Sequence, residues 1–182
     1  MNFKIFEGSD SPLRSNSYLL FGNPKIQIDA GSKTDAEVVV LTHCHFDHIF
    51  YSNEMKRTGA KIYASKETAD AVKNMNEETC VFFYGEMKPF DVDVVIKEGD
   101  EIKNENFNLK VIETPGHCRG AICLWEEKER ILFSGDTIFD RGIYGRTDLP
   151  GGDENELEKS IKKLWQLKPK VIAPGHGEII NL

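Results

Sequence analysis

Apolar residues recur along the chain in short alternating or continuous runs, and these predict a fold dominated by β-strands. In the first third, Asn2–Phe6 and Ser17–Phe21 read as strands, the second closed by the turn signal Gly22-Asn23-Pro24. Lys25–Asp29 alternates, with Ile26 and Ile28 on one face, and stops at Gly31. Val38–Leu41 is an unbroken apolar run of the kind buried on both faces. A helix is expected from about Asp47 to Arg57, ended by Gly59. A strand over Lys61–Ala64 and a helix capped by Ser65, reaching about Asn74, follow it.

The second half repeats the mixture, with strands expected over Val92–Lys97, Phe107–Glu113, Ala121–Trp125, Arg130–Ser134 and Val171–Ala173. Asp153, with Glu156 three residues on, has the form of a capping box. Behind it Leu157, Ile161, Leu164 and Trp165 fall on one helical face, until Lys168-Pro169 stops the run. Many strands and few helices in two similar halves imply a sheet-on-sheet core with helices outside. Residues 75–91 are apolar and aromatic (Phe82, Phe83, Tyr84, Phe90) without a period. Core packing, a lid or a homodimer contact would each suit them.

Composition narrows the class. A length of 182 residues fits one domain spanning 1–182. Hydrophobic residues at 40% and charged residues at 29% exclude both a disordered chain and a membrane protein. No apolar run approaches the roughly 18 residues of a spanning helix, and Met1–Asp10 lacks a signal-peptide pattern. A net charge of −7 argues against a nucleic-acid surface. Four cysteines in a chain of this length do not make a disulfide framework, which points to a reducing cytoplasm.

The histidines carry the chemistry. Of five, His43, His45 and His48 fall in Thr42-His43-Cys44-His45-Phe46-Asp47-His48, directly after the buried strand. The others follow strand-like runs, in Thr114-Pro115-Gly116-His117 and Pro174-Gly175-His176-Gly177, and Asp136 ends another in Phe133-Ser134-Gly135-Asp136. Alternate side chains of an extended segment share a side, so His43 and His45 can grip one ion while Cys44 points away to pack. Asp47 and His48 would project from the first turn of the following helix, and glycine before His117 and His176 allows a sharp turn. Imidazole and carboxylate are ligands shared by zinc, iron and manganese.

These residues resemble the metallo-β-lactamase superfamily: the HxHxDH block, a GH, a GD and a late GH stand in the family's order and cover most of the chain. The resemblance implies an αββα sandwich, two mixed sheets face to face with helices outside and the metals at one edge. It implies two divalent cations, zinc first, with iron or manganese as substitutes. His43, His45 and His117 would hold one, Asp47, His48 and His176 the other, and Asp136 would bridge. Asp at the bridging place argues against antibiotic hydrolysis. Gly135–Phe139 and Gly145-Arg146-Thr147-Asp148-Leu149-Pro150-Gly151-Gly152 look like the hydroxyacylglutathione hydrolases (glyoxalase II) and their small relatives.

That likeness implies hydrolysis of a small-molecule thioester by a hydroxide between two metal ions, with Asp47 both binding metal and orienting the hydroxide. Arg146, and less so Arg119, is a candidate to attract an anionic substrate tail. Glutathione itself does not carry over, because the longer glyoxalase II enzymes use a C-terminal helical domain to hold it. The alternative within the fold is a persulfide dioxygenase with one iron on His43, His117 and Asp136. Nucleic-acid and membrane partners are not expected.

Overall fold

The computed structural model describes residues 3–7, 14–83, 85 and 87–182. Two six-stranded sheets face each other. The first runs in chain order: β1 (Phe3–Glu7), β2 (Asn16–Leu20), β3 (Ile26–Ile28), β4 (Val38–Val40), β5 (Lys61–Ala64) and β6 (Val94–Val95). The second also runs in order: β7 (Glu101–Lys103), β8 (Asn108–Glu113), β9 (Ile122–Glu126), β10 (Ile131–Gly135), β11 (Val171–Pro174) and β12 (Ile180–Asn181). Both are mixed: β3 to β6 pair in parallel in the first, and β10 with β11 in the second.

Strand alternation explains why these strands are apolar on both faces. Tyr18, Leu20, Val38 and Val40 meet Leu109, Val111, Leu124 and Phe133 between the sheets. Their neighbours Leu19 and Val39 face outward with Ile49, Met55, Ala71 and Val72. Those residues belong to α1 (Phe46–Ile49), α2 (Ser52–Arg57) and α3 (Lys66–Asn74). On the other side Ile112, Cys123, Trp125, Leu132 and Ile172 pack with Leu164 of α4 (Glu154–Trp165). The expected α/β architecture, αββα with two mixed sheets inside, is the observed one. Among the described residues no helix is long and apolar enough to cross a membrane.

Several boundaries differ for physical reasons. The helix expected over Asp47–Arg57 is two short helices, because the backbone of Ala30 enters the break. Ala30 N–H donates to His48 O at 2.7 Å, and Tyr51 N–H donates to Ala30 O at 2.8 Å. Those bonds replace the i to i−4 contact that would continue the helix. The strand expected over Val92–Lys97 shortens to β6, while β7 and β12 are short strands without a readable run. Trp165 ends α4 at 39% exposure, so the buried stripe there is Leu157 and Leu164. Residues 77–79 and 81–83 form single 3-10 turns. Met1, Asn2, Gly8–Asp10 and Tyr84 lie outside the described residues.

Candidate metal centre

Four loops converge at one edge of the sandwich, each after the C-terminal end of a strand. His43, His45, Asp47 and His48 follow β4, and His117 follows β8. Asp136 follows β10, and His176 follows β11. Backbone bonds stitch the two sheets together here: Asn16 N–H donates to Gly175 O at 2.6 Å and Ile122 N–H to Thr42 O at 2.8 Å. The β10–β11 register shifts between Phe133 and Gly135, which re-aims the chain immediately before Asp136. Gly116 sits at φ +134°, open to glycine, and a Cβ there would collide with the Leu157 backbone. Gly175 serves by space rather than by turn, because a Cβ there would strike Asp136 Oδ1 and His48 Cε1.

The seven side chains form overlapping groups. One donor atom each from His43, His45 and His117 lies within 4.8 Å of the others, and the same holds for Asp47, His48 and His176. A third group of that kind, His43 with His48 and Asp136, joins them. Asp136 stands between: Oδ2 is 3.6 Å from His117 Nε2 and 3.4 Å from His176 Nε2, and Oδ1 is 3.2 Å from His48 Nε2. His43 Nε2, His45 Nε2, Asp47 Oδ2 and Asp136 Oδ1 are buried without a hydrogen bond. An orphan of that kind costs on the order of 1–3 kcal/mol. Four of them in one nest of imidazoles and carboxylates fit a site built for cations.

A family model described as the metallo-beta-lactamase superfamily matches residues 32–176. The chain belongs to this superfamily. A probable metallo-hydrolase of Methanocaldococcus jannaschii is 34% identical over 91% of this chain and 88% of its own length. A hydroxyacylglutathione hydrolase of Methylobacterium sp. is 37% identical over 79% of this chain, but the match spans only 49% of that protein. The hydroxyacylglutathione hydrolase GloC of Haemophilus influenzae is 34% identical over 80% of this chain and 71% of its own length. Among solved structures, the BLEG-1 B3 metallo-beta-lactamase superposes with a TM-score of 0.85 at 27% identity, covering 98% of this chain and 93% of that one. TTHA1623, solved in a di-iron-bound form, gives 0.81 at 26% identity, covering 93% and 91%.

Superfamily members bind divalent metals, and the hydrogen bonds behind these side chains prepare the imidazoles for that task. Thr42 Oγ1–H donates to Asp29 Oδ2 at 2.8 Å and therefore accepts from His43 Nδ1 at 3.0 Å, which leaves His43 Nε2 with its lone pair. His117 Nδ1–H donates to Arg146 O at 2.7 Å, aiming Nε2 inward, 2.9 Å from His45 Nδ1. His48 Nδ1–H donates to Asp29 Oδ2 at 2.7 Å. Outer partners of this kind fix tautomer and ring orientation.

Electrostatics divide the nest. Burial, aided by neighbouring imidazoles, pushes His43 well below its usual range and His45 down to about 3. Burial would lower His48 too, but Asp136, Asp47 and Asp29 outweigh it and hold its pKa well above the ordinary value. His176, against the same burial, is raised to about 9 by the Asp136 and Asp47 carboxylates beside it. Burial favours the neutral form of both carboxyls. His48 and His176 reverse that, keeping Asp47 low and Asp136 well below the carboxylate range.

Asp29, Asn16 and Ser15 escaped the sequence reading. Asp29 accepts from Thr42 N–H, Thr42 Oγ1 and His48, reaching both ligand groups. The Asn16 amide donates to Pro174 O at 3.0 Å and Gly177 O at 2.8 Å, setting the turn that carries His176. Ser15 Oγ–H donates to Asp47 O at 2.7 Å. A strand-ending Asp at Asp29 was the available signal. Arg146 meets the site through its carbonyl, while its guanidinium forms two 2.6 Å bonds to Asp148 and is 62% exposed. Arg119 pairs with Glu78. Cys44 donates to Glu78 O at 3.4 Å on the side away from the ligands, and Cys118 together with burial pushes its thiol well up. It is an inert packing group.

Proposed function

We propose that the chain is a dinuclear metal-dependent hydrolase of thioesters. The observation that carries the reading is Asp136, a buried carboxylate lying between two three-residue ligand groups. His43, His45 and His117 would hold one cation, and Asp47, His48 and His176 the other. Bound there, the cations supply Lewis acidity and a water acidified toward neutral pH. The relatives named hydroxyacylglutathione hydrolase supply the substrate class, a small-molecule thioester.

The residues of the chain do the positioning. Asp47, whose buried Oδ2 lies 3.1 Å from His176 Nε2, would orient the attacking water and accept its proton. A thiolate, with a parent pKa of about 8.5, departs without a strong general acid. Asp148 already neutralises Arg146, so anchoring an anionic substrate tail would mean exchanging one carboxylate for another at the same guanidinium.

The test combines elemental analysis of protein purified without added metal with thiol release from a panel of thioesters, hydroxyacylglutathione included. About two ions per chain and thiol release that Asp136→Asn abolishes support the reading. One iron per chain, oxygen uptake with a persulfide and no thiol release would replace it with the dioxygenase.

A further inference from the structure

Beside His176 a cavity of about 400 Å³ is lined by Phe139, Asp140, Ile143, His176 and Gly177. His176 ties it to the ligand nest, with its Nε2 3.1 Å from Asp47 Oδ2 and 3.4 Å from Asp136 Oδ2. The wall is built from a loop closed on itself rather than a loose segment. Phe139 N–H donates to Ile143 O at 2.8 Å, Ile143 N–H to Asp140 O at 3.1 Å, and Ile138 bridges Tyr144. Phe139 stands edge-on to His176, ring centroids 6.1 Å apart. Ile143 is 59% exposed although most large aliphatic side chains of this chain are buried. Apart from His176, no described side chain of this wall is basic. Phe139 and Ile143 give the recess an apolar side, with His176 and Asp140 as its polar lining, and an apolar side next to a polar, reactive end suits a bound acyl or thiol arm.

We propose that the substrate carries an apolar, aliphatic or aromatic arm on the His176 side of its scissile bond, seated against Phe139 and Ile143, with Ile143 setting the preference. The inference rests on the thioester-hydrolase reading for its chemistry, though not for its binding. It separates this chain's substrate from a short, polar hydroxyacyl group. Each methylene that leaves water against the wall raises kcat/KM by about two- to fourfold.

Two thioester series test it on metal-loaded protein. One lengthens the acyl group from acetyl to butyryl to hexanoyl on a fixed neutral thiol. The other lengthens the thiol arm on a fixed acetyl group. The expected result is a kcat/KM that climbs along one series, which tells the acyl arm from the thiol arm. Ile143→Ser should then lower the hexanoyl-length substrate about tenfold more than the shortest one, and Ile143→Val should keep the climb. A flat response in both series, or a climb that Ile143→Ser leaves intact, overturns the proposal. Calorimetric binding of hexanoate against acetate gives the second readout. Tighter hexanoate binding that Ile143→Ser removes supports the cavity even where no thioester is cleaved, an outcome that would sink the hydrolase reading alone. Equal binding of the two acids counts against the cavity.

Discussion

The two ligand groups differ in who holds the protons. His43 and His45 are kept neutral by burial, while His48 and His176 are kept charged by three carboxylates around them. In the metal-free protein the second group therefore carries its own positive charge between Asp29, Asp47 and Asp136. In the first group His43 and His45 offer bare lone pairs at neutral pH; His48 and His176 of the second must give up protons before they can ligate. A single nest of histidines and aspartates thus contains one half ready for a cation and one half that exchanges for it.

The most damaging way to break the asymmetry is at the second half. Asp47→Ala should lower thioester turnover by at least about two to three orders of magnitude while the far-ultraviolet circular dichroism stays native. Retention of more than a tenth of wild-type turnover would remove Asp47 from its role. His176→Ala should reduce the metal count from about two toward one, read by elemental analysis, and an unchanged count would dissolve the division into halves. Next comes pH. Below about 9 the affinity for the second equivalent should weaken by about tenfold per unit for the proton that His176 keeps, whereas His45, lowered to about 3, imposes no such loss on the first near neutral pH. Isothermal titration in buffers of different ionisation heat would register the proton released with the second equivalent.

Asp29→Asn sharpens the same contrast with a smaller effect, about 10- to 100-fold in metal affinity, falling mainly on the half that contains His48. The smallest effect is on the stability of the metal-free protein. His176, raised from 6.5 to about 9, contributes stability present below 6.5 and lost as pH rises through 9. His45, lowered to about 3, acts in the opposite sense, and its contribution is lost as pH falls from 6.5 toward 3. Melting temperature without metal should therefore peak near pH 6.5. A monotonic profile across that range contradicts the assignment.

The ligand pattern was legible because it is local: alternation carries His43 and His45, one helical turn carries Asp47 and His48, and a strand end introduces each of the others. Paired outward and inward residues such as Val38, Val39 and Val40 made the double-sided burial readable too. What stayed hidden depends on partners far away in sequence. The interruption after Ile49 comes from the Ala30 backbone, and Asp29 gains its purpose only when Thr42 and His48 arrive beside it. β7 and β12 are held by neighbours rather than by any periodicity of their own. Trp165 continued the apolar stripe in sequence, yet α4 has reached its end there and the side chain meets solvent.

His48 and His176 touch across 128 residues of chain, and this separation has a consequence for how the centre comes into being. Four candidate ligands lie in one loop of the first sheet, but the remaining three depend on β8, β10 and β11 being docked in the second. A partly folded chain can offer the HxHxDH loop alone, which leaves both half-sites short. Only after β11 has paired with β10 does the last imidazole arrive, and that closure carries the entropic cost of a long loop. Occupancy of both half-sites would then report completion of the whole sandwich, and it would make the cations a folding end-point rather than a nucleus.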